Sequence, residues 1–197
     1  RDPNEFGSFY DILVLPDGRL FCAGSTAYAK FLLCQFNADG STDNSFGDGR
    51  GYVTYTNLPT YAYGRHAHLA KGDKILVFGT YFLANGLDDG TGVYRFNNDG
   101  SLDSSFGTNG IAVSGFDDIG GLMSRRASAV QPDGKIVTGV SVYPDYDDEY
   151  AHIGLMRFNG DGGISPAGYV RIKKWMKKYG ITWAGAFVSK GNTYTVE

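Results

Sequence analysis

The sequence predicts an all-β chain of repeated, four-stranded antiparallel units. Three observations carry that expectation. One turn sequence occurs four times along the 197 residues, at Leu15-Pro16-Asp17-Gly18-Arg19, Ala70-Lys71-Gly72-Asp73-Lys74, Gln131-Pro132-Asp133-Gly134-Lys135 and Ser189-Lys190-Gly191-Asn192-Thr193. A second motif follows it three times, as Phe36-Asn37-Ala38-Asp39-Gly40, Phe96-Asn97-Asn98-Asp99-Gly100 and Phe158-Asn159-Gly160-Asp161-Gly162. The composition, with 29 Gly, 14 Tyr and 13 Phe, suits many tight turns between short aromatic-rich strands.

Self-similarity at a fixed period is the signature of a repeat architecture. Taking Arg19, Lys74, Lys135 and Thr193 as equivalent gives spacings of 55, 61 and 58 residues. Units are therefore expected at about 9–60, 61–122 and 123–178, with a partial fourth at 179–197. Within a unit the order is strand, turn, strand, loop, strand, turn, strand. In the first unit the strands fall at 9–15, 19–25, 30–37 and 51–56. Pro in the Pro-Asp-Gly turn presets φ, and Gly accepts the positive φ that follows. The Asn-x-Asp-Gly turn reverses the chain again. Two units continue alike through Ser41-Thr42-Asp43-Asn44-Ser45-Phe46-Gly47 and Ser101-Leu102-Asp103-Ser104-Ser105-Phe106-Gly107. The third runs instead through Ile164-Ser165-Pro166-Ala167-Gly168 and lacks the Phe-Gly pair.

One segment reads two ways. Arg171-Ile172-Lys173-Lys174-Trp175-Met176-Lys177-Lys178 has the look of a basic amphipathic helix. The repeat frame favours a strand. Gly168-Tyr169-Val170 aligns with Gly51-Tyr52-Val53, and Tyr179-Gly180 aligns with Tyr63-Gly64. Residues 169–174 then form the fourth strand of the third unit, with Val170 and Ile172 on one face. Trp183-Ala184-Gly185-Ala186-Phe187-Val188 and Thr193-Tyr194-Thr195-Val196 read as the first two strands of a fourth unit. Arg1-Asp2-Pro3-Asn4-Glu5-Phe6 suits back-to-back restriction sites and is set aside as a candidate cloning scar, leaving 7–197 as one β-repeat domain.

The run Gln131-Pro132-Asp133-Gly134-Lys135-Ile136-Val137, with Phe-Asn-x-Asp-Gly-Ser-x-Asp-x-Ser-Phe-Gly, resembles the delta-60 repeat family. The resemblance extends from Phe9 to Val196 and is degraded after Gly162. It implies β-propeller-like blades of large secreted or surface proteins, mostly bacterial, and brings no catalytic residues with it. Four-stranded units arranged around an axis are propeller blades, and about three and a half are expected here. End units would then carry unpaired strand edges, open to self-association. The chain is expected to be a segment of a longer array, a small or open structure, or one half of a two-copy ring.

Charge and motif content narrow the function. The formal net charge of −3 lacks the basic footprint that nucleic-acid binding needs. No apolar run approaches a membrane span. No nucleophile elbow, zinc-protease helix, Walker loop or dinucleotide fingerprint occurs, so an enzyme is the less favoured class and no catalytic residue is assigned. The best ligand-binding loop carries Tyr143, Asp145, Tyr146, Asp147, Asp148, Glu149 and Tyr150, because tyrosine offers broad contact and a polar tip at low entropic cost. The alternating oxygens of Asn37, Asp39, Ser41 and Asp43, and of Asn97, Asp99, Ser101 and Asp103, are candidate Ca2+ ligands. The plainer reading is an Asx-stabilised turn, since the Gly is misplaced for a calcium-binding helix–loop–helix. His66 and His68 share a strand face, but a zinc site needs further ligands. Cys22 and Cys34 fall on neighbouring strands, compatible with a cross-strand disulfide in an exported protein or with two buried thiols.

The expected function is a non-enzymatic extracellular module that binds a glycan or protein surface through its loops. The alternatives are a structural or assembly segment of a larger surface or phage-tail-type protein and, more weakly, a carbohydrate-active enzyme.

Overall fold

The computed structural model describes residues 7–27, 30–55, 58, 62–82, 89–114, 124–142, 152–177, 180–189 and 192–196. The chain forms two compact units, 1–114 and 115–197, and all described regular structure is β.

The first unit holds two four-stranded antiparallel sheets, each a simple meander. One contains β1 (Gly7–Val14), β2 (Leu20–Thr26), β3 (Phe31–Phe36) and β4 (Tyr52–Tyr55). The other contains β5 (Ala62–Ala70), β6 (Lys74–Phe82), β7 (Asp89–Phe96) and β8 (Ile111–Ser114). These bounds match the repeat reading to within two residues at the ends of the first four strands. The turns close as their residues dictate. Gly18 N–H donates to Leu15 O at 2.9 Å, and Gly40 N–H donates to Asn37 O at 2.9 Å. The same bonds recur at Gly134 to Gln131 and at Gly100 to Asn97 and Gly162 to Asn159.

The two sheets stack through opposite faces. Strand alternation puts Phe21, Ala23, Phe31, Leu33, Val53 and Tyr55 on one face of the first sheet. Ala67, Leu69, Ile75, Val77, Tyr94 and Phe96 line the facing side of the second. Together they form one apolar cluster. The Phe31 ring lies 4.5 Å from Tyr94 and 6.3 Å from Phe96, in the tilted contacts aromatic rings favour. The loop between β3 and β4 adds Phe46, fully buried and edge-on to Phe21 at 6.0 Å. Burying such a side chain contributes about 1.5–3 kcal/mol.

The second unit is one six-stranded sheet in the order β14-β13-β12-β11-β10-β9. Its strands are β9 (Ser124–Val130), β10 (Ile136–Val142), β11 (His152–Phe158), β12 (Ile164–Lys177), β13 (Gly180–Ser189) and β14 (Asn192–Val196). The basic run at 171–177 is therefore strand, as the repeat frame indicates. The sheet differs from the expected organisation in one respect. β13 and β14, read as the opening of a fourth unit, continue the third sheet instead. β12 pairs with β13 without a break from Val170↔Phe187 to Lys177↔Gly180. The long β12 offers an edge of backbone donors and acceptors, and strands adjacent in sequence are the readiest partners for it.

A bulge recurs in the first strand of each repeat. The register skips one residue at Tyr10, Arg65 and Arg126, which are equivalent positions. The signal was present only in the repeat spacing, because bulges have no side-chain code of their own.

Candidate functional site

The polar chemistry of the first unit gathers at the Asn-x-Asp-Gly turns and the loops that follow them. Asp39 Oδ1 accepts the Ser41 N–H at 2.9 Å and the Ser41 hydroxyl at 2.6 Å. Asn37 Nδ2 donates to Ser41 Oγ at 2.9 Å. The second repeat copies this, with Asp99 Oδ1 accepting from Ser101 N at 2.8 Å and from its hydroxyl at 2.6 Å. Asn97 Nδ2 donates to Ser101 Oγ at 2.8 Å. The Ser41 hydroxyl holds the Asp39 carboxyl below its ordinary value, and the Ser101 hydroxyl does the same for Asp99. These are rigid Asx turns with the carboxylates at the surface.

Asp43 and Asp103, placed with them by sequence spacing, turn inward to other partners. Asp43 is buried. Its Oδ2 accepts from Gln35 Nε2 at 2.7 Å and from Arg19 Nη1 at 3.1 Å, while its Oδ1 accepts from the Ser45 hydroxyl at 2.6 Å and the Ser45 N–H at 2.9 Å. The Ser45 hydroxyl, then Gln35, the Ser45 amide and Arg19, hold its carboxyl far below the usual range against the opposing effect of burial. Asp103 repeats the arrangement with different cations. Arg95 Nε donates to Oδ2 at 2.9 Å, Lys74 Nζ lies 3.5 Å away, and the Ser105 hydroxyl donates to Oδ1 at 2.7 Å. The Ser105 hydroxyl and amide, then Arg95 and Lys74, bring its carboxyl down to about 2.

The candidate Ca2+ ligands are thus divided between two jobs, a surface turn and a buried clasp. Among the described residues no three His, Cys, Asp or Glu side chains gather where one ion could sit. His66 and His68 lie on one face of β5, and the His68 ring packs edge-on to Phe78 at 5.3 Å. The Tyr143–Tyr150 loop falls outside the described residues.

Cys22 and Cys34 face each other directly across β2 and β3, and both are thiols. Burial pushes the Cys34 thiol up to about 12 and raises Cys22 as well. Neither is activated as a nucleophile, which requires a lowered thiol value. A cleft of about 150 Å³ opens between Leu15, Asp17, Arg19, Leu69, Asp73 and Asn98. It is smaller than the roughly 300–1,000 Å³ typical of small-molecule sites.

The clasp around Asp43 and Asp103 was missed by sequence reasoning. Its parts come from three places, the second strand, the third strand and the following loop. The available signal was the repeat itself, which keeps a cation at Arg19, Lys74 and Lys135.

In the first unit, two meandering four-stranded sheets stacked face to face, one for each of the first two repeats, are β-propeller-like in form. A family described as "Domain of unknown function (DUF5122) beta-propeller" matches residues 15–46, 73–106 and 131–164, together just over half of the chain. The chain belongs to that family. Neither the curated proteins nor the solved structures give a match. Among the described residues, no helix is long and apolar enough to cross a membrane.

Proposed function

We propose that this chain is an extracellular, non-enzymatic repeat module of the delta-60 kind that binds a glycan or protein surface through its loops. One observation carries the reading furthest. Every described carboxylate with a shifted titration is shifted downward, by hydroxyl, amide or cation donors. A general acid working near neutral pH needs the opposite shift. What the described surface offers is fixed, ionised acceptors on stiff turns, suited to hydrogen bonding with hydroxyl-rich or polar surfaces. The loop with Tyr143, Asp145, Tyr146, Asp147, Asp148 and Tyr150 supplies the aromatic contact area such binding uses. The extracellular setting is supported by the resemblance to secreted repeat proteins.

The test is a glycan array and a protein-surface panel probed with the folded full chain. Binding that falls at least about tenfold on Tyr146→Ala, a loss of about 1.4 kcal/mol, is the expected result. Blank panels, or binding indifferent to that loop, would remove the proposal.

A further inference from the structure

The two cysteines of the chain meet at one place. Cys22 on β2 pairs directly with Cys34 on β3, so both side chains lie on one face of the first sheet. The scaffold does not require sulfur there. The matching cross-strand pairs are Val77↔Tyr94 in the second repeat and Thr138↔Met156 in the third.

The hydrogen-bond pattern fixes the spacing of the pair. Thr26 N–H donates to Lys30 O at 2.8 Å where β2 gives way to β3. Pairs two residues apart on an antiparallel ladder are of one kind, so Gly24↔Leu32 and Cys22↔Cys34 are hydrogen-bonded pairs too. The next amide along β3, Gln35 N–H, donates to the opposite side, to Gly51 O at 2.9 Å, as this alternation demands. A hydrogen-bonded pair holds its Cα atoms about 5.5 Å apart, within the roughly 4.4–6.8 Å that a disulfide spans. Its Cβ atoms sit toward the wide end of about 4.5–5.5 Å, whereas a relaxed disulfide holds them about 3.5–4.5 Å apart. A bond between these sulfurs therefore needs only a small inward shift of the strands. It also carries strain, which makes it easier to reduce.

Access is one-sided. Cys22 is 6% exposed, and Cys34 is half-buried. A small reagent therefore reaches the Cys34 sulfur first. As the thiolate, Cys34 attacks one sulfur of a small-molecule disulfide, which breaks and releases its first thiol. Cys22 then attacks the Cys34 sulfur of the mixed disulfide and expels the second thiol. The protein gives up two protons and two electrons in all, and the small-molecule disulfide takes them up as two thiols. Burial keeps both cysteines protonated, so the exchange is slow and runs over hours.

We propose that Cys22 and Cys34 are a reversible redox pair, closed by small-molecule disulfides into a strained cross-strand bond that stiffens the first repeat. The bond closes the short connection between β2 and β3 and so restricts the unfolded chain. The same two strands carry Phe21 and Phe31 into the core, so tying them acts on the sheet stack. The pair works this way whichever ligand the loops take.

Incubation of the folded full chain with oxidised glutathione tests this, followed by intact mass and thiol titration. The expected product is a monomer lighter by two hydrogens, without free thiols, whose peptide map links Cys22 to Cys34. Reduced glutathione, without denaturant, should restore both thiols. The oxidised chain should melt at least about 3 °C above the reduced one. Cys22→Val, which takes the residue of the second repeat, should stop at a glutathione adduct on Cys34 and show no such rise. The wild-type readouts decide the matter should that variant fail to fold. Thiols that stay free, adducts on both cysteines with no internal bond, a bond that glutathione cannot open, or unchanged melting would each overturn the proposal.

Discussion

The first and second repeats use one scaffold for two different situations. Their strands, bulges, turns and clasp are superposable in sequence position, yet the same face is solvent-exposed at Ile12 and Val14, while their counterparts are buried at Ala67 and half-buried at Leu69. The difference lies in the neighbour. The second sheet has the first packed against it, and the first has no counterpart on its outer side within the described residues of its unit. Fold and burial are thus set by different parts of the sequence. Turn residues and strand alternation make the sheet, and stacking decides which side of it becomes core.

The clasps sharpen the contrast. Asp43 is held by one cation and one amide, Asp103 by two cations. Both solutions satisfy a buried carboxylate, which would otherwise be costly. The second clasp also carries the heavier dependence on charge.

The largest expected effect is at the contact between the two sheets. Phe46→Ala should destabilise the protein by about 3–5 kcal/mol in urea unfolding, since Phe46 is fully buried between Phe21 and the Gly100 turn. Next, Asp103→Ala should cost about 1–3 kcal/mol by removing the buried carboxylate that accepts from Arg95 and the Ser105 hydroxyl and pairs with Lys74. Asp43→Ala should cost less, because its one cation, Arg19, keeps its ion pair with Asp17.

Acid should act on the same groups. Both carboxyls sit below their unfolded values, so their contribution is complete above an unfolded value of about 3.9 and is lost as the pH falls from there through the folded values, about 2 for Asp103 and lower for Asp43. Thermal melts between pH 5 and pH 2 should show the decline, and an Asp43→Asn/Asp103→Asn double variant should flatten it. The smallest effect separates the two faces. At a concentration where the chain is monomeric, Val14→Ser should change stability by no more than about 0.5 kcal/mol. The equivalent Leu69→Ala, packed against the core, should cost about 1–3 kcal/mol. Equal costs would break the comparison.

Much of this was legible in the sequence. Pro16-Asp17-Gly18 and Asn37-Ala38-Asp39-Gly40 carry their turns in their own residue types, and the strands between them followed. The 171–177 strand was legible only through alignment to the other repeats, because its local pattern fits a helix as well. The clasp was not legible at Asp43. A carboxylate that pairs with Arg19 and Gln35 across folded distance has the same local spacing as one lining an ion site. The single six-stranded sheet was not legible either, since a repeat boundary in sequence does not forbid hydrogen bonding across it.

The first and second repeats stack blade on blade, and one pair of substitutions tests that most directly. Gly40 and Gly100 have nearly the same backbone, with φ of 84° and 89°. Alanine at either site pays the left-handed penalty of about 1–2 kcal/mol. Only at Gly100 does the new methyl also collide with Val53 and Phe46 of the neighbouring sheet. Urea unfolding should therefore show Gly100→Ala more destabilised than Gly40→Ala by about 1–3 kcal/mol. Equal losses in the two variants would contradict the stacking.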